Sequence, residues 1–296
     1  MVLVVVVPFL NESEHLPSLL RSIEGQRRPP DLLILVDDGS TDGSFELAQD
    51  FAALHPYARA VQRPPRPPQS DRLATAAELR AFQHGVELID HPYDVVAKLD
   101  ADLDLRPSHF ETMVAAFECD PSLGLTGGYL SVRRPDGTTM RESHPPDHIR
   151  GPNKFYRREC LEQMSPVPAH LGWDTMDEVM ARMHGWRTES RELSDGDSIH
   201  LRPTGLYDGR LRAFWRWGEC AYGYGSHPYQ VLAATASRAR RRPYGLSGVA
   251  YLLGWAAAHA RRRPRARAEV RSFRRREELR RLRRGLSGAR AAKAPH

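Results

Sequence analysis

The sequence predicts an α/β fold: a doubly wound, mostly parallel sheet flanked by helices, followed by a basic helical C-terminal extension. Three observations predict it. Val2 to Val7 is an unbroken, mostly β-branched apolar run, the mark of a strand covered on both faces. The hydrophobic period then alternates between strand-like and helix-like, giving a βαβα opening whose crossovers are right-handed. Charge is also divided along the chain. From residue 238 onward 19 Lys and Arg stand against 3 Glu, a net +16 in a chain whose total is +6, so residues 1–237 carry −10. The expected division is a mildly acidic domain over 1–205 and an Arg-rich helical extension over 206–296.

The elements follow in order. Beyond Pro8, Leu16, Leu19, Leu20 and Ile23 share one face of a helix over Glu14 to Glu24, with Ser13 placed to cap it. Leu32 to Val36 is a second strand. Gly43 to Leu54 is a second helix, with Phe45, Leu47, Ala48 and Phe51 inward. RPPRPPQ, residues 63–69, excludes both helix and central strand and predicts an exposed extended loop. Leu73, Ala76, Leu79, Phe82, Val86 and Ile89 mark a third helix, and Asp94 to Leu99 a third strand. A helix over Pro107 to Cys119 precedes a strand over Leu123 to Val132, broken at Gly127-Gly128. Residues 133–153 are polar and rich in Pro and Gly, a loop long enough to imply a function. Helices over Asn153 to Met164 and Thr175 to Gly185 lead to strands ending at IHLRP, residues 199–203. No internal repeat is visible.

A chain of 296 residues can bury a large core. Cys119, Cys160 and Cys220, odd in number and widely spaced, form no disulfide framework and fit a reducing compartment. The opening MVLVVVVPFLNE is too short in its apolar run for a signal peptide, and no segment reaches the roughly 18 apolar residues of a membrane span. A cytoplasmic location is expected.

The chemistry-bearing residues sit at strand ends, where open α/β sheets bind ligands. In LILVDDGSTDGS, residues 33–44, an apolar run stops at Asp37 and Asp38; in DADLD another stops at Asp100 and Asp102. If the two strands are neighbours, four carboxylates converge, which a hard divalent cation or a hydrogen-bond donor would neutralise. Asp42 and Asp104 are placed as helix caps. Asp37 and Asp38 could equally be turn residues before Gly39. Asp100 and Asp102, two apart on an extended chain, point the same way.

Four stretches, VVVPFLNESEHLPSLLRSIEGQ, ILVDDGSTDGS, VAKLDADLDLRP and GWDTMDEVMARMHGW, resemble the ordered motifs of glycosyltransferase family 2, with the GT-A fold, over roughly residues 2–205. The resemblance implies a metal-dependent, inverting transfer of a sugar from a UDP- or GDP-linked donor to a hydroxyl acceptor, saccharide or lipid-linked, in cell-envelope polysaccharide or glycolipid synthesis. It implies roles as well. Pro8 and Glu12 would lie at the nucleotide edge. Asp38, with Asp37 beside it, would accept hydrogen bonds from the base. Asp100 would face the ribose or the metal, and Asp102 would bind Mg²⁺ or Mn²⁺. His200, followed by Arg202, stands where several GT-A enzymes place a late metal-ligating histidine. The general base would come from GWDTMDE, which departs from the family's usual Glu-Asp pair. Asp174 is placed before the helix and points out; Asp177 and Glu178 are its rivals, or are simply favourable charge in a first helical turn. Arg157 and Arg158, near Lys154, would meet the diphosphate or form a solvated helix face.

Residues 244–260, YGLSGVAYLLGWAAAHA, are uncharged and lie between RARRR and RRRPRAR. They predict either a helix packed on the domain or one lying in the interface of an anionic membrane, with Tyr251 and Trp255 at headgroup depth. No nucleic-acid motif accompanies the arginines, so nucleic acid is not an expected partner. The rival functions are a sugar-phosphate nucleotidyltransferase, which would want a Gly-rich, Arg-containing loop where PFLNES stands, and a catalytically degenerate membrane-associated scaffold.

Overall fold

The computed structural model describes residues 1–64, 71–134, 137–202 and 209–291. Most of the RPPRPPQ segment lies outside them. The chain divides into two compact units, Met1–Ala169 with Trp173–Pro203, and His170–Gly172 with Thr204–His296.

In the first unit the principal sheet holds seven strands: β1 (Leu3–Phe9), β2 (Leu32–Asp37), β3 (Ala58–Gln62), β4 (Val95–Leu99), β6 (Leu123–Gly128), β9 (Asn153–Arg157) and β10 (Arg187–Arg191). Their order is β10-β6-β9-β4-β1-β2-β3, and only β9 runs antiparallel to its neighbours. The continuous apolar run of β1 is buried at every position, as a central parallel strand requires. Helices α1 (Leu16–Glu24), α2 (Ser44–Leu54), α3 (Ala77–Glu87), α4 (His109–Cys119), α5 (Arg158–Met164) and α6 (Trp173–Met183) accompany it. A smaller sheet, in the order β5-β11-β7-β8, joins β5 (Leu103–Asp104), β11 (Ser198–His200), β7 (Leu130–Arg133) and β8 (Thr139–Arg141). The main core gathers Leu3, Val5 and Val7 with Leu16, Leu19, Leu33, Phe110, Phe117 and Phe155.

Several local expectations are corrected. Residues 153–157 form a strand, β9, inserted antiparallel between β4 and β6, rather than the start of a helix; carboxylates remote in sequence let its lysine be buried there. The long loop contains β8. Asp104 pairs with Ile199 in the small sheet and caps nothing. Ser13 is not the cap of α1, whose N-cap is His15; its N–H donates to Asp42 instead (3.0 Å). The strands ending in Asp37 and Asp100 are not neighbours, since β1 lies between them.

The second unit is helical: α7 (Arg210–Gly223), α8 (Pro228–Ala239), α9 (Leu246–Ala260) and α10 (Ala268–Ala291). Phe214, Ala221, Val231 and Tyr251 form its buried cluster. Tyr251, expected at headgroup depth, is 4% exposed and faces this cluster, with the Arg238 guanidinium 4.3 Å from its ring centroid; Trp255 is half-buried. Among the described residues no helix is long and apolar enough to cross a membrane.

Candidate functional site

The site is assembled at the carboxyl ends of β1, β2 and β4. Register sets the levels: Phe9 pairs with Asp37, and Val6 pairs with Lys98, so Asp100 emerges at the height of Pro8.

At the β2 end the two adjacent aspartates part company. Asp37 is fully buried, and its carboxylate accepts from the Ser40 N–H (2.9 Å) and Gln62 Nε2 (2.8 Å), which fixes the turn. Asp38 instead receives two guanidiniums, from the buried Arg63 and from Arg72 (2.5 Å). Asp37 therefore holds the turn and Asp38 presents the charge-paired carboxylate. Neither arginine was singled out in the sequence, Arg63 because it opens a proline-rich stretch. Asp42 accepts from the Ser44 N–H (3.1 Å) and from Ser13, tying the loop after β1 to the start of α2. Glu12 is fastened there too, its N–H donating to Ser44 Oγ (2.8 Å).

At the β4 end Asp100, Asp102 and His200 each offer a ligand atom, and these atoms all lie within 4.8 Å of one another. Asp102 is 5% exposed and His200 4%. Asp102 Oδ2 lies 3.3 Å from His200 Nε2 and accepts from Arg202 Nε at 2.8 Å. Burial alone would raise the Asp102 carboxyl, but His200 and Arg202 hold it down to about 2. Burial alone would lower His200, and the Asp102 carboxylate carries it above its ordinary value. Arg202 also pairs with Glu12, whose carboxyl is raised by burial against that pull and whose Oε2 is buried without a hydrogen-bond partner. Two carboxylates and an imidazole, with an unsatisfied carboxylate oxygen on Glu12, fit a divalent cation of the Mg²⁺ or Mn²⁺ type.

Asp100 carries a second link that the sequence reading passed over. Lys98, 1% exposed, pairs with both Asp100 and Glu78, donates to the Gly151 carbonyl (3.1 Å) and lies 5.5 Å from the Trp173 ring centroid. A charge inside the apolar strand VVAKL was the available signal.

The third group opens α6. Asp174 is half-buried in the first helical turn, and its Oδ2 lies so near Gly151 that a Cβ there would meet it at 3.0 Å, a tight contact. Its backbone carbonyl accepts from Lys154 Nζ. Asp177 is different. It is fully buried, receives Lys154 Nζ at 2.7 and 2.8 Å, and accepts from the Tyr156 hydroxyl at 2.7 Å. Sealed against lysine and tyrosine, its carboxylate is less open to an acceptor hydroxyl than that of the half-buried Asp174. Glu178, also buried, receives the Ile149 N–H and lies against His148, both at 3.1 Å, fastening the long loop. Burial alone would lower Lys154; Asp177 and Glu178 raise it above its ordinary value. Arg157 ends strand β9 and binds the carbonyls of Leu123 and Phe117 (2.8 and 2.7 Å), so it is a strand-end clamp and not part of a solvated helix face.

Comparison with known proteins identifies the family and the fold. The profile of glycosyl transferase family 2 matches residues 4–172. The chain is 29% identical over 147 residues to the uncharacterized glycosyltransferase YibD of Escherichia coli, covering 49% of this chain and 39% of that protein. It is 28% identical over 134 residues to the polyprenol monophosphomannose synthase of Mycolicibacterium smegmatis, covering 45% and 46%. The chain thus spans less than half the length of either relative. Among solved structures, the mannosyltransferase PcManGT from Pyrobaculum calidifontis, in complex with GDP-Man and Mn²⁺, superposes with a TM-score of 0.55 at 19% identity, over 97% of this chain and 80% of that one. The fold is of the GT-A type, with its large, mostly parallel sheet between helices. With the family profile spanning more than half of its residues, the chain belongs to glycosyl transferase family 2.

Proposed function

We propose that the protein transfers a sugar from a UDP- or GDP-linked donor to a hydroxyl of a saccharide or lipid-linked acceptor, with inversion and with a divalent cation. The observation that carries the reading is the convergence of Asp100, Asp102 and His200 past the end of β4. A cation held by these three would neutralise the donor diphosphate and stabilise the departing nucleoside diphosphate. The chain's own residues do the rest. Asp38, fixed by Arg63 and Arg72, borders the base pocket, and Pro8 and Glu12 form its nucleotide edge. Asp174 takes the acceptor proton as the acceptor oxygen bonds to the anomeric carbon and the bond from that carbon to the phosphate oxygen breaks. Attack opposite the leaving group inverts the centre. The name of the M. smegmatis relative favours a lipid-linked acceptor, and with it a cell-envelope role at the inner face of the membrane.

The test is a thermal-shift screen of nucleotide sugars with and without Mn²⁺, followed by NMR of the product anomer. Stabilisation by one donor series only when Mn²⁺ is present, and a product of inverted configuration, are expected. Absence of any nucleotide-sugar response, or a retained configuration, overturns the reading.

A further inference from the structure

Helix α9 is built the wrong way round for water. Its inward residues are Ser247, Gly248, Tyr251, Gly254 and Ala258. Its outward residues include Leu246, Val249, Leu252 and Leu253, between 36% and 56% exposed. At 100° per residue these four, with the exposed Ala256 and Ala260, sweep an arc of about 120° that carries no polar side chain. The inner glycines explain the inversion. A Cβ at Gly254 would strike the Trp215 carbonyl, and one at Gly218 the Tyr251 carbonyl, so α7 and α9 pack backbone to backbone. Tyr251 apart, small residues face inward and large aliphatic ones outward, which is how helices pack where lipid covers the outer face. Helix α1 shows the opposite pattern, with Leu16, Leu19, Leu20 and Ile23 buried and Arg21 and Glu24 exposed.

Both ends of the stripe are basic. Arg240, Arg241 and Arg242 precede α9, and Arg261, Arg262 and Arg263 follow it; all six are exposed. Fifteen residues make a helix of roughly 22 Å, short of the roughly 30 Å of bilayer hydrocarbon, so the helix lies along a surface rather than across it.

We infer that α9 docks the protein on an anionic bilayer, with the Leu246–Val249–Leu252–Leu253 stripe at the acyl boundary and the two arginine triplets on the headgroup phosphates. The inference rests on the C-terminal unit alone and is independent of the reaction proposed above. A second copy of the chain is the competing cover. Pairing two stripes in either direction sets arginine triplet against arginine triplet, whereas lipid phosphate complements them.

Flotation of the full chain with phosphatidylcholine vesicles, with and without phosphatidylglycerol, tests this. The chain should float with the anionic vesicles, and rising salt should weaken that binding without abolishing it. Val249→Glu with Leu253→Glu should lower partitioning at least about tenfold with an unchanged melting temperature, the scale of losing two buried aliphatic side chains. The triple variant Arg261→Gln, Arg262→Gln, Arg263→Gln should remove most of the preference for anionic lipid, and it decides the matter if the first variant fails to fold. No flotation of the wild type with anionic vesicles, equal binding to both lipids, or wild-type binding by the glutamate variant overturns the inference. So does a solution dimer that the glutamate variant converts to monomer without any vesicle binding.

Discussion

Lys98 and Lys154 stand directly opposite each other on the antiparallel strands β4 and β9, and neither is exposed beyond 1%. Directly opposed residues share one face of a sheet, so two ammonium groups would repel there if left alone. Each is drawn to its own acids instead. Lys98 pairs with Asp100 and Glu78, and Lys154 with Asp177 and Glu178. Lys98 also donates to the Gly151 carbonyl and Lys154 to that of Asp174. The lysine pair thereby joins the candidate metal-holding carboxylate to the backbone that carries the candidate base.

Lys154→Met should be strongly destabilising, by about 3–5 kcal/mol, because it leaves Asp177 and Glu178 buried without their cation. Adding Asp177→Leu should recover part of that loss, since the two sites share one network. Urea denaturation of the single and double variants measures both. Strictly additive losses would mean that the pair is not coupled.

Asp102→Asn should remove Mn²⁺-dependent binding of a nucleoside diphosphate while the fold stays intact. An amide keeps an oxygen for Arg202 but gives up the charge a hard cation needs. Calorimetry with UDP and GDP, with and without Mn²⁺, reads the effect. An unchanged metal-dependent affinity would remove Asp102 from the cation site.

Asp174→Asn should keep donor affinity and lower turnover by about 10²-fold or more, the scale of a lost general base. Asp177→Asn should act mainly on stability, since its carboxylate is the partner of Lys154. Steady-state kinetics beside melting curves separates the two. A full-rate Asp174→Asn with an inactive but stably folded Asp177→Asn would exchange their roles.

Burial drags His109 from an ordinary 6.5 down to about 4, with Asp195 pulling the other way. Its Nδ1 lies 2.7 Å from Ser198 Oγ, while its Nε2 has no partner, so an imidazolium would bury an unmet donor. Between these two values the unfolded chain takes up the proton and the folded one does not. Stability should therefore fall as pH drops from 6.5 towards 4, by about 3 kcal/mol in total from this residue. Urea midpoints across that range, compared with those of His109→Gln, test it; the variant should show the shallower slope.

What the sequence disclosed follows a physical division. Strands β1, β2 and β4 were legible because each is a local apolar run, and the acidic turns because carboxylates at strand ends have no packing use. Strand β9 was not legible. Lys154 and Arg157 read as one side of a helix, and only Asp177, 23 positions later, and the carbonyls of Leu123 and Phe117 explain why they lie inside. The Asp38 arginines were hidden for the same reason, since Arg63 and Arg72 lie 25 and 34 positions from their partner. Where compensation is remote, local pattern reports only the uncompensated residue. In α9 the pattern gave an uncharged helix but not which face looked outward, because the deciding residues are the glycines it sets against α7.

Arg202 touches Glu12, 190 positions earlier, and also Asp102. The loop after β1 and the last described residue of the first unit therefore meet at one guanidinium. Without residues 198–202, Glu12 and Asp102 would lose the guanidinium between them, while Asp100 would keep Lys98. The end of this unit thus returns to its beginning through a charge contact that no local stretch of sequence announces.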